Sequence, residues 1–504
     1  MPPMMHDLLV IGGGINGAGI ARDAAGRGLS VMLVEQHDLA AHTSSASSKL
    51  IHGGLRYLEQ YQFRLVRESL REREVLLRAA PHIVRPLRFI LPHDRHLRPR
   101  WMLRAGLALY DHLGGRQSLP TSGAVALSGA PLAARFTHGF AYWDCWVEDA
   151  RLVVLTARDA AERGAEIRPR TRCVGLARHA DRWVARLVGP AGESEIAARA
   201  VVNAAGPWVD ELARMAHGPA TPRRVRLVKG SHIIVLRLYD GDHAYILQQR
   251  DGRVVFALPF EGRFTLVGTT DTAFTGDPAT VAIDAAERDY LLAAASDAFG
   301  RQVEESAIHA TYSGVRPLYD DGAARNSTVT RDYAFALDSE GGAPLLSVYG
   351  GKITTYRKLA EHALARLAPH FPGLAPAWTA QAVLPGGDLP AGGADALALA
   401  LGARHPALAG RVALRWARSY GTRALDILAP GGDPGPEIAP GLFAAELEYL
   451  AAQEWAASAE DVLDRRTRLG LHYSSDERTA VARWFAARVE TGRAAVQGAS
   501  QPPR

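Results

Sequence analysis

The stretch "DLLVIGGGINGAGIARDAAGRGLSVMLVE", residues 7–35, limits the fold more than any other part of this chain. It predicts a strand, a tight glycine turn, a helix and a second strand. Leu8 to Ile11 form a short apolar run of the kind buried in a parallel sheet. Gly12, Gly14 and Gly17 follow at G-x-G-x-x-G spacing, with Ile15 and Asn16 between them, and the second strand ends at Glu35. Glycine lets the backbone approach a pyrophosphate, whose charge then lies at the helix N-terminus. A carboxylate closing the second strand suits a ribose hydroxyl pair. The glycine spacing alone is a weak signal; all four elements in register make a strong one. The acidic Glu35 favours FAD or NAD over a 2′-phosphorylated cofactor.

An NAD domain usually continues into further strand–helix units. Here Glu35 is followed by "TSSASSKLIHGGLRYLE", residues 43–59, rich in hydroxyl and basic groups and interrupted by Gly53-Gly54. Two later segments repeat the strand–turn–helix order. "ARAVVNAAGPWVDELA", residues 198–213, places a small-residue turn at Ala204, Ala205 and Gly206 ahead of Pro207 and Trp208. "PLLSVYGGKITTYRKLAEHALARL", residues 344–367, runs through Gly350-Gly351 into a helix with Leu359, Ala363 and Leu367 on one face. A helix N-terminus after such a turn offers N–H groups and positive potential to a ring that becomes anionic on reduction.

At 504 residues, 47% of them apolar and 22% charged, the chain is long enough for two or three domains with real cores. A net charge of +5 and a pI near 9.2 favour anionic partners without choosing among phosphate esters, acidic lipids and nucleic acid. The two cysteines, Cys145 and Cys173, are far apart, which argues against a disulfide framework or a zinc site. The start lacks the basic region of a secretory signal, and no apolar run reaches the roughly 20 residues that span a bilayer. The expected location is cytoplasmic, or peripheral on the inner face of the cytoplasmic membrane.

Together the three segments resemble the glutathione-reductase-type FAD fold of the amino-acid-oxidase superfamily. More closely, "IGGGINGAGIARDAAGRGLSV", "TSSASSKLIHGGLRYLE", "VKGSHI", "VGTTDT", "YSGVRPL" and "YGGKITTYRKLAEHAL" resemble the bacterial aerobic sn-glycerol-3-phosphate dehydrogenases. The resemblance implies non-covalent FAD and oxidation of glycerol 3-phosphate to dihydroxyacetone phosphate, with hydride passing from C2 to flavin N5. It further implies ubiquinone or menaquinone as acceptor, in aerobic glycerol catabolism and the respiratory chain. An anionic membrane surface and a homodimer are compatible partners; nucleic acid is not expected.

The fold class is then α/β: a Rossmann-like FAD-binding domain, a mostly antiparallel substrate sheet and an α-helical C-terminal domain. The expected division places the FAD domain in residues 1–85, 140–215 and 341–375. A basic amphipathic, membrane-associating excursion covers 86–139 and the substrate sheet 216–340. A helical cap covers 376–495, and 496–504 form a disordered tail.

A phosphate monoester needs several Arg or Lys side chains, and a secondary alcohol losing hydride needs a proton acceptor nearby. Arg316, in "TYSGVRPLYDD", reads as a strand end before Pro317 and is matched by the resemblance to the family's substrate arginine. Lys352 follows Gly350-Gly351 at a helix start, where the dipole disfavours a lone cation; that conflict favours a functional reading. Arg56 and Tyr57 resemble family residues that contact substrate: the guanidinium can bind bidentately and the phenol can donate. Two histidines compete for the proton. His232, in "LVKGSHIIVLR", where Gly230-Ser231 is read as interrupting a strand, is taken as the acceptor, and His52 as its flavin-side or substrate-side partner. Thr269, Thr270 and Asp271 are placed in the same pocket. Cofactor contacts are expected at Gly12, Gly14, Ile15, Asn16, Gly17 and Glu35, and along Thr43, Ser44, Ser47, Ser48, Lys49, Leu50, His52, Gly53 and Gly54. Ala205, Gly206, Trp208, Gly351, Lys352 and Thr354 complete that set.

Residues 85–113 carry six arginines against two aspartates around Trp101, Met102, Leu103, Leu107, Leu109 and Tyr110, which suits a helix lying in an anionic interface. "AYILQQ", "RVVFALP" and "FTLVGTT" predict short antiparallel strands. "AAELEYLAAQEWAASAEDVLDRRTRLGL" is helical in period, and "LAPGGDPGPEIAPG" is a loop. A glycerol-3-phosphate oxidase using O2 and an amino-acid oxidase are the same-fold alternatives. The third is a nucleic-acid-binding flavoprotein, against which the scattered positive charge speaks.

Overall fold

The first apolar run becomes strand β1 (Met5–Ile11), the glycine turn leads into helix α1 (Ile15–Gly26), and β2 (Val31–Val34) follows. The structure is a computed structural model that describes residues 5–94, 97–115, 117–219, 221, 224–268, 270–320, 332–428 and 432–499. Among them, β1 lies inside an eight-stranded sheet, parallel both to β2 and to Gly192–Asn203. Leu345–Gly350 extends the parallel array beside Gly192–Asn203. Apolar residues of β1 and β2 are buried, as a parallel sheet covered on both faces requires. Ile11 is level with Val34 and Asn203, and Asn203 with Ser347. The glycine and small-residue turns that follow these strands therefore meet at one edge, outside the C-terminal ends of the strands. Ligands of open α/β sheets bind at that position.

A ten-stranded sheet, mostly antiparallel, makes the second layer of the site. Its pairing is antiparallel throughout, except where Ala244–Gln248 runs parallel to Val84–Pro92. Apolar residues of five of its strands, Ile233, Tyr245 and Val267 among them, pack with Leu291, Ala295 and Phe299 of the helix Ala285–Phe299.

Three local expectations are corrected here. Gly230-Ser231 does not interrupt its strand: Val225–Leu236 is continuous, with Gly230 opposite Gly314 and Ser231 opposite Ser313. Arg316 is not at a strand end, because Ile308–Tyr319 continues through Pro317, which faces Leu227. Residues 85–113 are not one helix. Val84–Pro92 is a strand held between two others, since its Leu, Phe and Ile fill the sheet, and only α3 (Arg100–Leu113) is helical. The preceding helix, α2, is Phe63–Ala79.

The chain divides into two compact units: residues up to 79 together with 84–382, and residues 80–83 together with those from 383 onward. The second unit has its own core, including Trp416, Tyr420, Leu447 and Leu463. Buried Glu446 anchors it by accepting from Trp416 Nε1 at 2.8 Å and from the Tyr420 hydroxyl at 2.5 Å. The helical run expected over 444–471 is broken. Ala444–Gln453 ends before Trp455, whose φ is +57°, and a π-turn follows at Asp461–Arg466. In the proline-rich loop, Glu437–Ala439 pairs with Leu442–Phe443, while 429–431 lie outside the described residues. The last helix runs Ser475–Ala499, so 496–499 are helical rather than part of a tail; 500–504 lie outside the described residues. Among the described residues no helix is long and apolar enough to cross a membrane.

Candidate active site

A cavity of about 1050 Å³ runs from Glu35 past Gly12 and Gly14 to Arg316 and Lys352, all in the first unit. At its Glu35 end the backbone turns so tightly that only glycine fits. Gly12 has φ +119°, and a Cβ there would lie 2.7 Å from the Ala204 carbonyl carbon and closer still to its oxygen. The Glu35 carboxylate accepts from Gly13 N–H at 2.7 Å and from His37 N–H at 2.8 Å. Burial pushes that carboxyl up, against the pull of the two N–H groups. Ser44 Oγ accepts from Ile15 N–H at 3.0 Å, and Asn16 Nδ2 donates to the Gly350 carbonyl at 3.1 Å. The first glycine turn and the last one are thereby tied together. No side chain caps α1 at Gly14. A glycine cradle, a helix N-terminus with no side chain at its Gly14 cap and a carboxylate one strand away fit the pyrophosphate and ribose of a dinucleotide.

The stretch 43–59 joins the two sheets. Thr43 Oγ1 donates to the Val315 carbonyl at 2.7 Å, and Tyr312 OH donates to the Ser47 carbonyl at 2.8 Å. Thr43, Ser44, Ser47, Ser48, Leu50, His52 and Gly54 line the cavity, as do Ile15, Asn16, Ala205, Gly206, Trp208, Gly351 and Thr354. Three expected cofactor contacts lie behind the wall instead. Gly17 sits under the turn against the Gly12 carbonyl. Lys49 is 3% exposed and pairs with Asp149 at 3.0 Å, with the Tyr312 ring 4.8 Å from its Nζ. A buried ammonium needs such a partner more than it needs a ligand. The Gly53 N–H donates to Tyr110 OH at 2.8 Å, and Tyr110 OH donates to Asp144, which Arg73 pairs at 2.8 Å. None of Asp144, Asp149 and Tyr110 is marked by a local motif; each lies at least 57 residues from its partner in the stretch.

At the far end, Arg56, Tyr57, Arg316 and Lys352 line the same cavity, and Thr269 lies outside the described residues. Arg316 Nη1 donates to Asp271 Oδ1 at 2.7 Å and to the Thr270 carbonyl at 3.1 Å. Its guanidinium lies over Gly230, where a Cβ would be 2.7 Å from Cζ. Lys352 Nζ sits 3.9 Å from the centre of the Tyr57 ring. Three positive side chains, Arg56, Arg316 and Lys352, thus line the cavity beyond the dinucleotide cradle.

The two histidines differ in place. His52 is on the wall, with its N–H donating to Thr354 Oγ1 at 3.3 Å. Burial, and then the Lys352 charge, push its imidazole down to about 3. His232 is 1% exposed and lies one layer back, stacked on Tyr312 at 4.6 Å, with Nε2 3.0 Å from Ser48 Oγ. Burial, then Lys49 and Arg316, hold it well below the usual imidazole range. His232 does not line the cavity, whereas Ser48, which its Nε2 meets, does. Burial holds both rings in the neutral form near pH 7.

Residues 7–357 match the family described as FAD dependent oxidoreductase, and residues 377–490 match the C-terminal domain of alpha-glycerophosphate oxidase. The chain is 54% identical over 487 residues to glycerol-3-phosphate dehydrogenase of Pseudomonas aeruginosa, covering 95% of each chain. It is 49% identical over 492 residues to D-erythritol 1-phosphate dehydrogenase of Brucella abortus, covering 96% of this chain and 98% of that one. Among solved structures it is similar to glycerol-3-phosphate dehydrogenase from Bacillus halodurans complexed with FAD. There the TM-score is 0.76 and the identity 28%, over 96% of this chain and 90% of the other.

Proposed function

We propose, from the premise that this chain belongs to the FAD-dependent oxidoreductases in the group that holds the bacterial glycerol-3-phosphate dehydrogenases, that it oxidises sn-glycerol 3-phosphate to dihydroxyacetone phosphate. The observation that carries this reading is the placing of Arg316 and Lys352 on the same cavity as the Gly12–Glu35 cradle. Bound FAD supplies the hydride acceptor for the substrate carbon. Gly12, Gly14, Ser44 and Glu35 would hold the dinucleotide.

Arg316, Lys352 and Arg56 bind the substrate phosphate, and the Tyr57 hydroxyl adds a donor. A dianion suits this set better than the single carboxylate of an amino acid. The proton of the substrate hydroxyl passes to Ser48 and on to His232 Nε2; His52, on the wall itself, shapes the opposite side. Burial holds His232 down first and the Lys49 and Arg316 charges after it, and phosphate on Arg316 offsets the last of these.

The acceptor is a quinone, reached from an anionic membrane surface. Met102, Leu103 and Leu109 of α3 line the cavity together with Tyr61 and Phe63, and Trp101 beside them is 70% exposed. An apolar face with arginines alongside suits a helix lying in the headgroup region.

Purified, FAD-loaded protein mixed with glycerol 3-phosphate and a water-soluble quinone analogue tests the reading. Dihydroxyacetone phosphate is expected to form in step with quinone reduction, without peroxide. Peroxide in place of quinol would make the protein an oxidase. Turnover of erythritol 1-phosphate with none of glycerol 3-phosphate would move the substrate assignment to the longer polyol.

A further inference from the structure

We propose that Glu287, which lines no part of the cavity, is the positioning residue that sets Arg316 for phosphate recognition. The inference rests on the substrate reading above and deepens it. Glu287 is the third residue of the helix Ala285–Phe299 and completes a capping box with Asp284. A capping-box glutamate needs only the N-cap N–H, and it usually stands in solvent. This one is buried, and it gathers donors from two further segments. Its Oε1 accepts from Thr270 Oγ1 at 2.7 Å and from Thr272 Oγ1 at 3.2 Å. Its Oε2 accepts from Ser231 Oγ at 2.8 Å and pairs with Lys229 Nζ at 2.9 Å.

The geometry places those donors where they matter to Arg316. Lys229 and Ser231 flank Gly230, the residue over which the guanidinium lies. Thr270 also accepts from Ser231 N–H at 2.9 Å, so the turn 270–272 is pinned to the strand Val225–Leu236 from two sides. That turn then provides both acceptors for Arg316 Nη1, the Thr270 carbonyl and the Asp271 carboxylate. One carboxylate therefore locks a strand and a turn together, and the locked turn aims the cation. An arginine on a flexible stem loses rotamer entropy when it binds phosphate; one already held in its binding orientation loses less. Glu287 acts through Thr270 and Asp271, without touching substrate.

The test uses the full-length, FAD-loaded protein carrying Glu287→Gln. The amide keeps the volume but turns a donor group toward Ser231 and Lys229. The KM for glycerol 3-phosphate should rise about tenfold, and the Kd for inorganic phosphate, read by calorimetry, should rise in parallel. The kcat, the FAD content and the kcat/KM for unphosphorylated glycerol should stay within about twofold. Glu287→Asp should recover part of the phosphate affinity. Thr270→Val, which removes the hydroxyl's bonds to Glu287 and from Ser231 N–H and leaves the Lys229 pair in place, should raise KM and phosphate Kd several-fold, and it decides the matter if the glutamine variant does not fold. Unchanged phosphate affinity in the folded variant, or equal losses with glycerol and glycerol 3-phosphate, would overturn the proposal. A wild-type protein reduced only by some other phosphorylated polyol would sink the substrate reading alone, because the inorganic-phosphate arm still reports on Glu287.

Discussion

Replacing Gly230 with alanine moves Arg316 without changing any charge. The strand is continuous there, and φ at Gly230 is outside the left-handed region, so alanine is accommodated by the backbone. A strand gains roughly 0.5–1 kcal/mol from alanine over glycine. The new methyl would meet Nη2 of Arg316 most closely, with Cζ at 2.7 Å and Nη1 at 2.9 Å. Such contacts need about 3.5–4.0 Å, so the guanidinium must withdraw by roughly 1–1.5 Å. Being the end of a flexible side chain, it can do so cheaply. It then gives up the bonds to Asp271 (2.7 Å) and Thr270 (3.1 Å) that orient it. A charge-assisted hydrogen bond contributes about 1.5–3 kcal/mol, and about 1.4 kcal/mol is a factor of ten. The expected fall in kcat/KM for glycerol 3-phosphate is thus on the order of 10- to 100-fold, carried by KM. Steady-state kinetics with glycerol 3-phosphate and glycerol, beside thermal melting and flavin content, read this out. An unchanged KM, or an equal loss with glycerol, would refute the link between Gly230, Arg316 and phosphate.

Three further outcomes follow from the same structure. Gly12→Ala should abolish FAD retention, because its Cβ meets the Ala204 carbonyl and no flexible side chain can yield; the flavin absorbance of purified protein reports it. Lys49→Met should strip the buried Asp149 of its Lys49 charge partner while the Ser47 hydroxyl still donates to it, and destabilise the first unit by about 3–5 kcal/mol, with much of that recovered in Lys49→Met/Asp149→Leu, both seen as shifts in thermal midpoint. Unfolded histidine titrates near 6.5, whereas folded His52 does so at about 3; between those values the unfolded state binds the extra proton. The stability tied to neutral His52 is therefore full above about pH 6.5 and declines as pH falls toward 3, and His52→Gln should flatten that slope in a melting series.

The dinucleotide half of the site was legible because its physics is local. Glycines, an apolar strand and a terminal carboxylate act within about thirty residues, and Gly12, Asn16 and Glu35 line one cavity. Gly350-Gly351 was legible for the same reason. The substrate half was legible only as a list of side chains. Gly230 reads locally as a strand breaker, yet its lack of a side chain serves Arg316, 86 positions on in the chain and paired across the sheet near it. Lys49 looked like an anion ligand because its partner, Asp149, lies 100 residues away. Val84–Pro92 reads locally as part of a basic amphipathic segment, and only its pairing with strands on both sides makes it a strand. Glu287 carried only a capping-box signal, and its bonds to Thr270 and Ser231 exist only once sheet and helix pack.

The central claim is that one cavity binds a flavin at the Gly12–Glu35 end and a phosphorylated polyol at the Arg316–Lys352 end. Anaerobic mixing of the FAD-loaded protein with glycerol 3-phosphate, with flavin absorbance followed in a stopped-flow instrument, tests it most directly. The account predicts full bleaching of the flavin by glycerol 3-phosphate, far slower bleaching by glycerol at equal concentration, and none by amino acids. Bleaching by an amino acid with none by any phosphorylated polyol would contradict it.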